Sequence, residues 1–381
     1  MIRLLLSSNT DWYLYNFRLS LAKHLREAGI EVILVSPPGK YVPKLEEQGF
    51  RWVRWDLGRQ SVAPWMELAS LRQIYTIYQR ERPDLVHHHT VKPVLYGTLA
   101  ARMAHIPAVI NSITGRGYIF LGEGVRARLL RLVVKPVYRL AFNIPGVGVI
   151  FENAHDRQYF LDNRLVTAGQ TWLIEGVGVD PSRFSPQPEP EGVPVILLAA
   201  RMLWDKGVGI LVEAARSLKA EIPVRVVLVG DPDPGNPATV TRETLENWNA
   251  EGIVEWWGWQ PDMPEIYNRS HIVTLPTMYG EGVPTTLLEA ASCGRPLVAT
   301  DIPGCRQVII EGHNGFLVPT NSPRALAEAL KRLASDPALR GRMGEASRQL
   351  VMQKFTHAHV NAATLRVYQQ VLGASGGTDP R

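Results

Sequence analysis

The feature that most constrains this chain is a rhythm that occurs twice. Short apolar runs, IRLLLS, EVILVS, RWVRW, DLVHH and AVINS, followed by GVGVIFE and TWLIEG, alternate with helical patterns near Tyr15 to Ala28 and Pro64 to Glu81. Strands separated by helices build βαβ units, so the sheet is expected to be largely parallel and covered on both faces. After DPSRFSPQPEPEGVP, a proline-rich and nearly apolar-free stretch, the rhythm restarts with VILLAA, VRVVLVG, IVEWWG, HIVTLP and PLVAT.

The reading is α/β, with two doubly wound Rossmann-like domains. The first spans 1–180, a linker 181–192, and the second 193–355. A last helix, 356–372, is placed against the first domain, and the helices after Ser322 are read as peripheral. A chain of 381 residues is the right size for two such domains. Two α/β domains are expected to leave a cleft at the carboxyl ends of their strands, where ligands bind.

Composition narrows the function classes. Hydrophobic residues make up 45% and charged residues 20%, an ordinary globular balance. Two cysteines, Cys293 and Cys305, are too few for a disulfide framework, which points to a reducing cytoplasm. There is no signal-peptide pattern and no uncharged apolar stretch near the roughly 20 residues of a membrane span. A net charge of +5 favours an anionic partner without choosing one. No G-x-G-x-x-G follows a strand as a dinucleotide fingerprint requires, and no basic patch is interleaved with exposed aromatics as nucleic-acid binding requires.

Two stretches of the second half concentrate the chemistry. In VILLAARMLWDKG, Arg201 and Lys206 follow a buried strand and suit a diphosphate, although solvated charges at a strand end would read the same way. In YGEGVPTTLLEA, Gly282 permits close backbone approach, and Pro284 suits a first helical turn. No Ser, Thr, Asp or Asn caps that start, which leaves N–H groups near Val283 to Thr286 for an anion. Glu281 is expected just outside it, free to accept from hydroxyls. Glu289 falls opposite the apolar face of Leu287 and Ala291, so its spacing serves a surface glutamate as well as a ligand contact.

Arg201 with Lys206, and Glu281 with Glu289, resemble the donor site of family-four retaining glycosyltransferases, which have the GT-B fold. NFRLSLAKHL, VKPVLYGTLAAR, ITGRGYIF, LVGDPDPGNPA, GWQPDMPEIY and DIPGCRQVIIEGHNGFLVP agree with a bacterial branch of that family that extends undecaprenyl-diphosphate-linked sugars. The resemblance implies that Arg201, Lys206 and Glu281 form the catalytic group, the first two on the donor diphosphate. Gly258, Gly282, Val283, Pro284, Thr285, Leu288 and Glu289 would bind the donor, with Glu289 at the ribose hydroxyls and Gly258 near the base.

Lys92 matches a lysine of the branch and is read as an acceptor contact, together with Thr114 and Gly115. Those two stand where many relatives have a histidine, so no catalytic base is named. The SSNTDWY loop lacks the glycines that many relatives carry there.

The implied function is a retaining, metal-independent glycosyltransferase. It would move a sugar, expected to be an N-acetylhexosamine, from a UDP-sugar to a lipid-linked or glycan acceptor in surface polysaccharide biosynthesis. No cofactor is needed beyond the donor substrate. The alternatives are a GT-B-fold nucleotide-sugar epimerase and a non-catalytic nucleotide-sugar or glycan binder.

His87 to His89 do not form a metal site, because alternate strand residues face opposite ways. Asp231 and Asp233 resemble an Asp-x-Asp metal pair, but their proline-rich loop reads better as a turn. Residues 126–139 place Arg128, Arg131, Lys135 and Arg139 within about 80° on one helical face, opposite Leu129, Leu130, Val133, Val134 and Val137. Such a stripe suits an anionic membrane and, equally, a core helix with a solvated face that Pro136 interrupts. With a lipid-linked acceptor, the protein is placed at the inner face of the cell membrane.

Overall fold

The computed structural model describes residues 1–58, 64–115, 124–278 and 280–376. The chain forms two compact units, residues 1–177 with 357–381, and residues 178–356.

The first unit is built on a seven-stranded sheet: β1 (Arg3–Ser7), β2 (Glu31–Ser36), β3 (Arg51–Arg54), β4 (Leu85–His89), β5 (Ala108–Ile113), β6 (Val147–Phe151) and β7 (Thr171–Leu173). Its order is β3-β2-β1-β4-β5-β6-β7, and every pairing is parallel. Near-continuous Val, Ile and Leu make this possible, because both faces are buried. In β1, Leu5 packs with Val86 and Val109 on one face, while Leu4 and Leu6 pack with Leu85 and Ile110 on the other. Alternation by two residues divides the strand between two apolar layers.

The second unit repeats the plan with β8 (Val195–Ala199), β9 (Arg225–Val229), β10 (Glu255–Trp256), β11 (Ile272–Leu275), β12 (Leu297–Thr300) and β13 (Gly315–Val318), in the order β10-β9-β8-β11-β12-β13. Both sheets reverse their winding at one place, between β1 and β4 in the first unit and between β8 and β11 in the second. The loops leaving the carboxyl ends of those two strands diverge there, and the divergence makes a natural ligand crevice in each unit.

Three sequence expectations are corrected. The helix Pro323–Ala334 is not peripheral, because Leu326, Leu330 and Leu333 are fully buried in the second unit's core. The helix Val125–Phe142 is not interrupted by Pro136, which lies within it. The segment 181–192 is not a linker standing between the domains but part of the second unit, and three arginines fasten it there. Arg348 donates to the carbonyls of Pro181 and Phe184 at 3.0 Å, and Arg295 to that of Gln187 at 2.9 Å. Arg340 grips both carboxylate oxygens of Glu189, at 2.5 and 2.9 Å. Proline-rich chain that cannot pair in a sheet still has carbonyls, and these arginines satisfy them.

The final helix, His357–Gly376, belongs to the first unit. Val360, Val367, Tyr368 and Val371 join the layer of Leu4 and Leu6, Asn361 bonds Ser20 at 2.9 Å, and Trp172 donates to Gln370 at 2.8 Å.

Arg340 also donates to the carbonyls of Leu333 and Ala334, so its loss would strand several buried acceptors. Arg340→Ala should cost about 3 kcal/mol, the low end for breaking a buried pair, because Glu189 keeps partial contact with solvent. Urea unfolding measures that loss, and limited proteolysis should show new cleavage within 181–192.

Candidate functional site

In the second unit, the loops after β8 and β11 meet at the winding reversal. Gly207 ends the single turn Trp204–Lys206 at φ +75°, and a Cβ there would lie 2.0 Å from the Pro276 carbonyl oxygen. Only glycine permits both that conformation and that approach. Met278 N–H donates to the Asp205 carbonyl at 2.8 Å, which fixes one loop on the other. The Thr277 hydroxyl lies 3.0 Å from the Asp205 carbonyl and 3.2 Å from Glu281 Oε1.

This clasp brings the Lys206 ammonium against the Glu281 carboxylate, with about a fifth of each side chain exposed. Glu281 is therefore not free for hydroxyl groups, as its sequence position suggested, but ion-paired. Arg201 likewise is paired, its Nη1 lying 2.5 Å from Asp233 Oδ2. Asp233 sits in a turn, where its N–H donates to Thr239 Oγ1 and its carbonyl accepts from Asn236 N–H. The turn expected for Asp233 thus also carries a charge partner. Gly258, at φ +66°, accepts from Gly230 N–H at 2.8 Å and borders the same group of loops.

The helix Thr285–Ser292 follows, with Pro284 at its N-cap and no side-chain cap. Among the described residues, no acceptor faces the N–H groups of Thr285 and Thr286, whereas Leu287 and Leu288 N–H both reach the Pro284 carbonyl. Gly282 is pressed so closely by Gly304 that a Cβ on Gly304 would lie 1.7 Å from the Gly282 carbonyl oxygen. The Thr286 hydroxyl donates to the Ala199 carbonyl at 2.9 Å and ties the helix start to the end of β8. Val283 and Pro284 are buried, and the Leu288 side chain lies wholly in the core, so it supports the helix and does not face a ligand.

Glu289 is half-buried and accepts from the Tyr267 hydroxyl at 2.8 Å. Burial pushes its carboxyl up to about 7, against the opposing effects of the Tyr267 hydrogen bond and the Arg183 charge. Sequence reasoning missed Tyr267 and Asp233 as partners, since neither carries a local signal linking it to residues 22 and 32 positions away.

The first unit holds the residues read as acceptor contacts. Thr114 and Gly115 line a cavity of about 30 Å³ with Thr90, Val91, Val94, Ser112, Ile113, Tyr138 and Phe160. Lys92 does not line it: its ammonium donates to Glu67 Oε1 and to the Gly58 carbonyl, both at 2.7 Å. The basic stripe is also partly engaged. Lys135 donates to Asn163 Oδ1 at 2.7 Å and Arg139 to the Asn163 carbonyl at 2.9 Å, while the side chains of Arg126, Arg128, Leu129, Leu130 and Val133 lie outside the described residues. No helix among the described residues is long and apolar enough to cross a membrane.

The raised carboxyl of Glu289 has a stability consequence with a definite sign. An unfolded glutamate titrates near 4.5 and the folded one near 7, so the native state binds more protons between those values. Stability arising from this group is present below about 4.5 and is lost as pH rises through about 7. Glu289→Gln should therefore show a smaller fall in Tm between pH 4.5 and pH 7.5 than the unaltered protein, measured by calorimetry in matched buffers.

Residues 180–350 match the family model described as glycosyl transferases group 1, and residues 3–144 match the glycosyl transferase 4-like model. The chain is 28% identical over 372 residues to the N,N'-diacetylbacillosaminyl-diphospho-undecaprenol alpha-1,3-N-acetylgalactosaminyltransferase of Campylobacter jejuni, covering 94% of this chain and 96% of the relative. It is 26% identical to the UDP-Gal:alpha-D-GlcNAc-diphosphoundecaprenol alpha-1,3-galactosyltransferase of Escherichia coli, covering 72% of each. Among solved structures, Anabaena HepE in complex with UDP and glucose superposes with a TM-score of 0.80 at 17% identity, over 97% of this chain and 100% of that one. A glycosyltransferase from Rickettsia africae gives 0.79 at 22%, over 97% and 98%. Glycosyl transfer is the activity these matches share, which sets aside the epimerase and non-catalytic alternatives. With one glycosyl transferase family model matched in each unit and the two-sheet architecture of those structures, the chain has the two-domain GT-B fold.

Proposed function

We propose that the protein is a retaining, metal-independent glycosyltransferase that moves a sugar from a UDP-sugar, an N-acetylhexosamine in the simplest reading, to a diphosphate-linked lipid acceptor in surface glycan synthesis. The observation that carries this reading is the meeting of Arg201, Lys206 and the uncapped start of Thr285–Ser292 at the second unit's winding reversal. Two relatives whose names specify diphosphoundecaprenol-linked substrates support the acceptor class, and a fold neighbour crystallised with UDP supports the donor.

The chemistry follows from where charge develops. As the bond to the anomeric carbon breaks, the sugar becomes oxocarbenium-like and negative charge grows on the leaving diphosphate. Arg201, Lys206 and the Thr285 and Thr286 N–H groups are fixed donors aimed at that charge, so they need little reorganisation during the reaction. A bound diphosphate would replace the Asp233 carboxylate on Arg201 and the Glu281 carboxylate on Lys206. Glu281, released from its pair, can then accept from a sugar hydroxyl, and Glu289, held by Tyr267, accepts from the ribose. The incoming hydroxyl attacks on the face from which the phosphate departs, and a leaving phosphate oxygen takes its proton, which retains configuration. Glu281 and Glu289 read hydroxyls at opposite ends of one ligand and are not an acid and base pair.

The acceptor's lipid places the protein at a membrane surface, reached through the helix Val125–Phe142. Arg131, Lys135 and Arg139 supply positive charge, and Leu132 and Leu140 stand outward. Attraction to anionic headgroups would be screened by salt. The protein should sediment with phosphatidylglycerol vesicles at low salt and release at 0.5 M salt, on the order of the concentration that shortens the screening length below about 5 Å. Failure to sediment at low salt would remove the membrane assignment and leave the transferase reading standing.

Incubation with UDP-N-acetylhexosamines and a polyprenyl-diphospho-sugar should release UDP only when the acceptor is present. Arg201→Ala and Lys206→Ala should each lower kcat by about 100-fold or more with the fold intact by circular dichroism. Rates within a few-fold of the unaltered protein would overturn the assignment of both cations.

A further inference from the structure

The first unit carries, at its own winding reversal, a group of buried polar side chains that the donor chemistry does not use. Ser7 ends β1 with Ser8 just after it, and His89 ends β4 with Thr90 just after it; these are the two strands that flank the reversal. Ser7 is paired in register with His88, which turns it to the His88 face of the sheet and sets Ser8 beside His89 on the other. The loop after β1 then brings in Tyr13 and Arg18. The Tyr13 ring lies 5.7 Å from His89, and Arg18 sits 5.4 Å from the Tyr13 ring and donates to its hydroxyl at 2.9 Å.

Several polar atoms of this group have no hydrogen-bond partner among the described residues. Ser7 Oγ, Ser8 Oγ, Thr90 Oγ1, Arg18 Nε and both ring nitrogens of His89 are buried without a hydrogen bond. His89 and Ser8 are wholly buried and Arg18 is 6% exposed. Its neighbour His87 is the opposite case: the ring is held by Tyr368 at 2.5 Å and Ser112 at 2.7 Å, so the strand is well ordered where His89 is unsatisfied. Leaving buried polar groups unpaired is costly, commonly 1–3 kcal/mol each, so a cluster of them calls for a functional account.

The backbone is unusual at the same place. Thr90 has φ +71°, a conformation that β-branched residues rarely adopt. Arg18 closes a five-residue π turn, Leu14–Arg18, and a second π turn, Pro93–Gly97, follows Thr90. Such turns recur at functional sites because they reposition side chains that a regular helix would point elsewhere. Thr90 and Ser112 also line the 30 Å³ cavity, which therefore adjoins the cluster.

The donor balance indicates the ligand. Arg18 Nε can only donate, a neutral imidazole offers one N–H, and the Ser8 and Thr90 hydroxyls can each donate. No ion pair to Arg18 occurs among the described residues. A group that offers several donors and one cation suits an oxygen-rich anion, whose oxygens accept without donating.

We propose that Arg18, Ser8, Thr90 and His89 form the site that takes the phosphate oxygens of the acceptor, at the winding reversal of the first unit. This rests on the transferase function proposed above and specifies which part of the acceptor this unit recognises. The acceptor's phosphate enters beside the cavity at Thr90, accepts from Arg18 and the Ser8 hydroxyl, and fixes the acceptor sugar at the carboxyl end of β4.

The test compares two acceptors carrying the same sugar, one a polyprenyl diphosphate and one a neutral alkyl glycoside. The unaltered protein should prefer the diphosphate in kcat/KM. Arg18→Gln should reduce that preference about tenfold to a hundredfold, and Ser8→Ala and His89→Gln each by several-fold. UDP-induced thermal stabilisation should persist in all three, which separates loss of acceptor recognition from loss of the donor site. If Arg18→Gln fails to fold, the two milder variants decide the matter. Preference unchanged within twofold in folded variants overturns the proposal while the transferase reading stands. Turnover of neither acceptor by the unaltered protein overturns the transferase reading itself.

Discussion

Parallel strand pairing is the constraint from which the rest of this structure follows. Parallel strands need crossovers, crossovers place helices on both faces, and a sheet wound outward from its middle has one point where neighbouring crossovers part. Each unit has one such point, and the chemistry-bearing residues of each unit lie in the loops that leave it. Arg201 and Lys206 follow β8 and Glu281 follows β11; Ser8 follows β1 and His89 ends β4. In the second unit, Gly207 and Gly304 have no room for a side chain and so let loops of unlike sequence approach closely.

The rhythm of the sequence made the two sheets legible, because fully buried parallel strands leave an uninterrupted apolar signal. The missing side-chain cap at Thr285–Ser292 was equally legible, since capping depends on a residue's immediate neighbours. Partnerships across the fold were not. Nothing near Glu281 announces that Lys206 lies against it, and nothing in a proline-rich loop announces that Asp233 reaches Arg201. The run His87 to His89 illustrates both sides. Strand alternation correctly denied a three-histidine cluster, and it places His87 and His89 on one face with ring centroids 4.0 Å apart. It could not tell that His87 would find Tyr368 from the far end of the chain while His89 would find no hydrogen-bond partner among the described residues.

A pattern in the electrostatics unites the residues read as ligand-binding. Arg201, Lys206 and Lys92 each have a carboxylate, supplied by Asp233, Glu281 and Glu67 respectively. Such a carboxylate keeps a half-buried cation from being stranded without a counter-charge, and an incoming phosphate offers the same chemistry with more oxygens. Under the proposed function, exchange of one anion for the other would keep the cations oriented throughout, with the carboxylate moving and the cation staying in place. Arg18 lacks such a carboxylate among the described residues, which sets it apart from the other three.

The last helix has a consequence for how this protein could have arisen and can be rebuilt. Because His357–Gly376 completes the first unit's apolar layer after the second unit has been traversed, the first unit is discontinuous in sequence. A simple exchange of amino-terminal halves between relatives would pair one parent's sheet with another parent's closing helix. It would place foreign side chains against Leu4, Leu6 and His87. Recombination that respects the physics must move residues 1–177 together with the carboxyl-terminal helix, which makes the second unit the part that can be exchanged as a single insert.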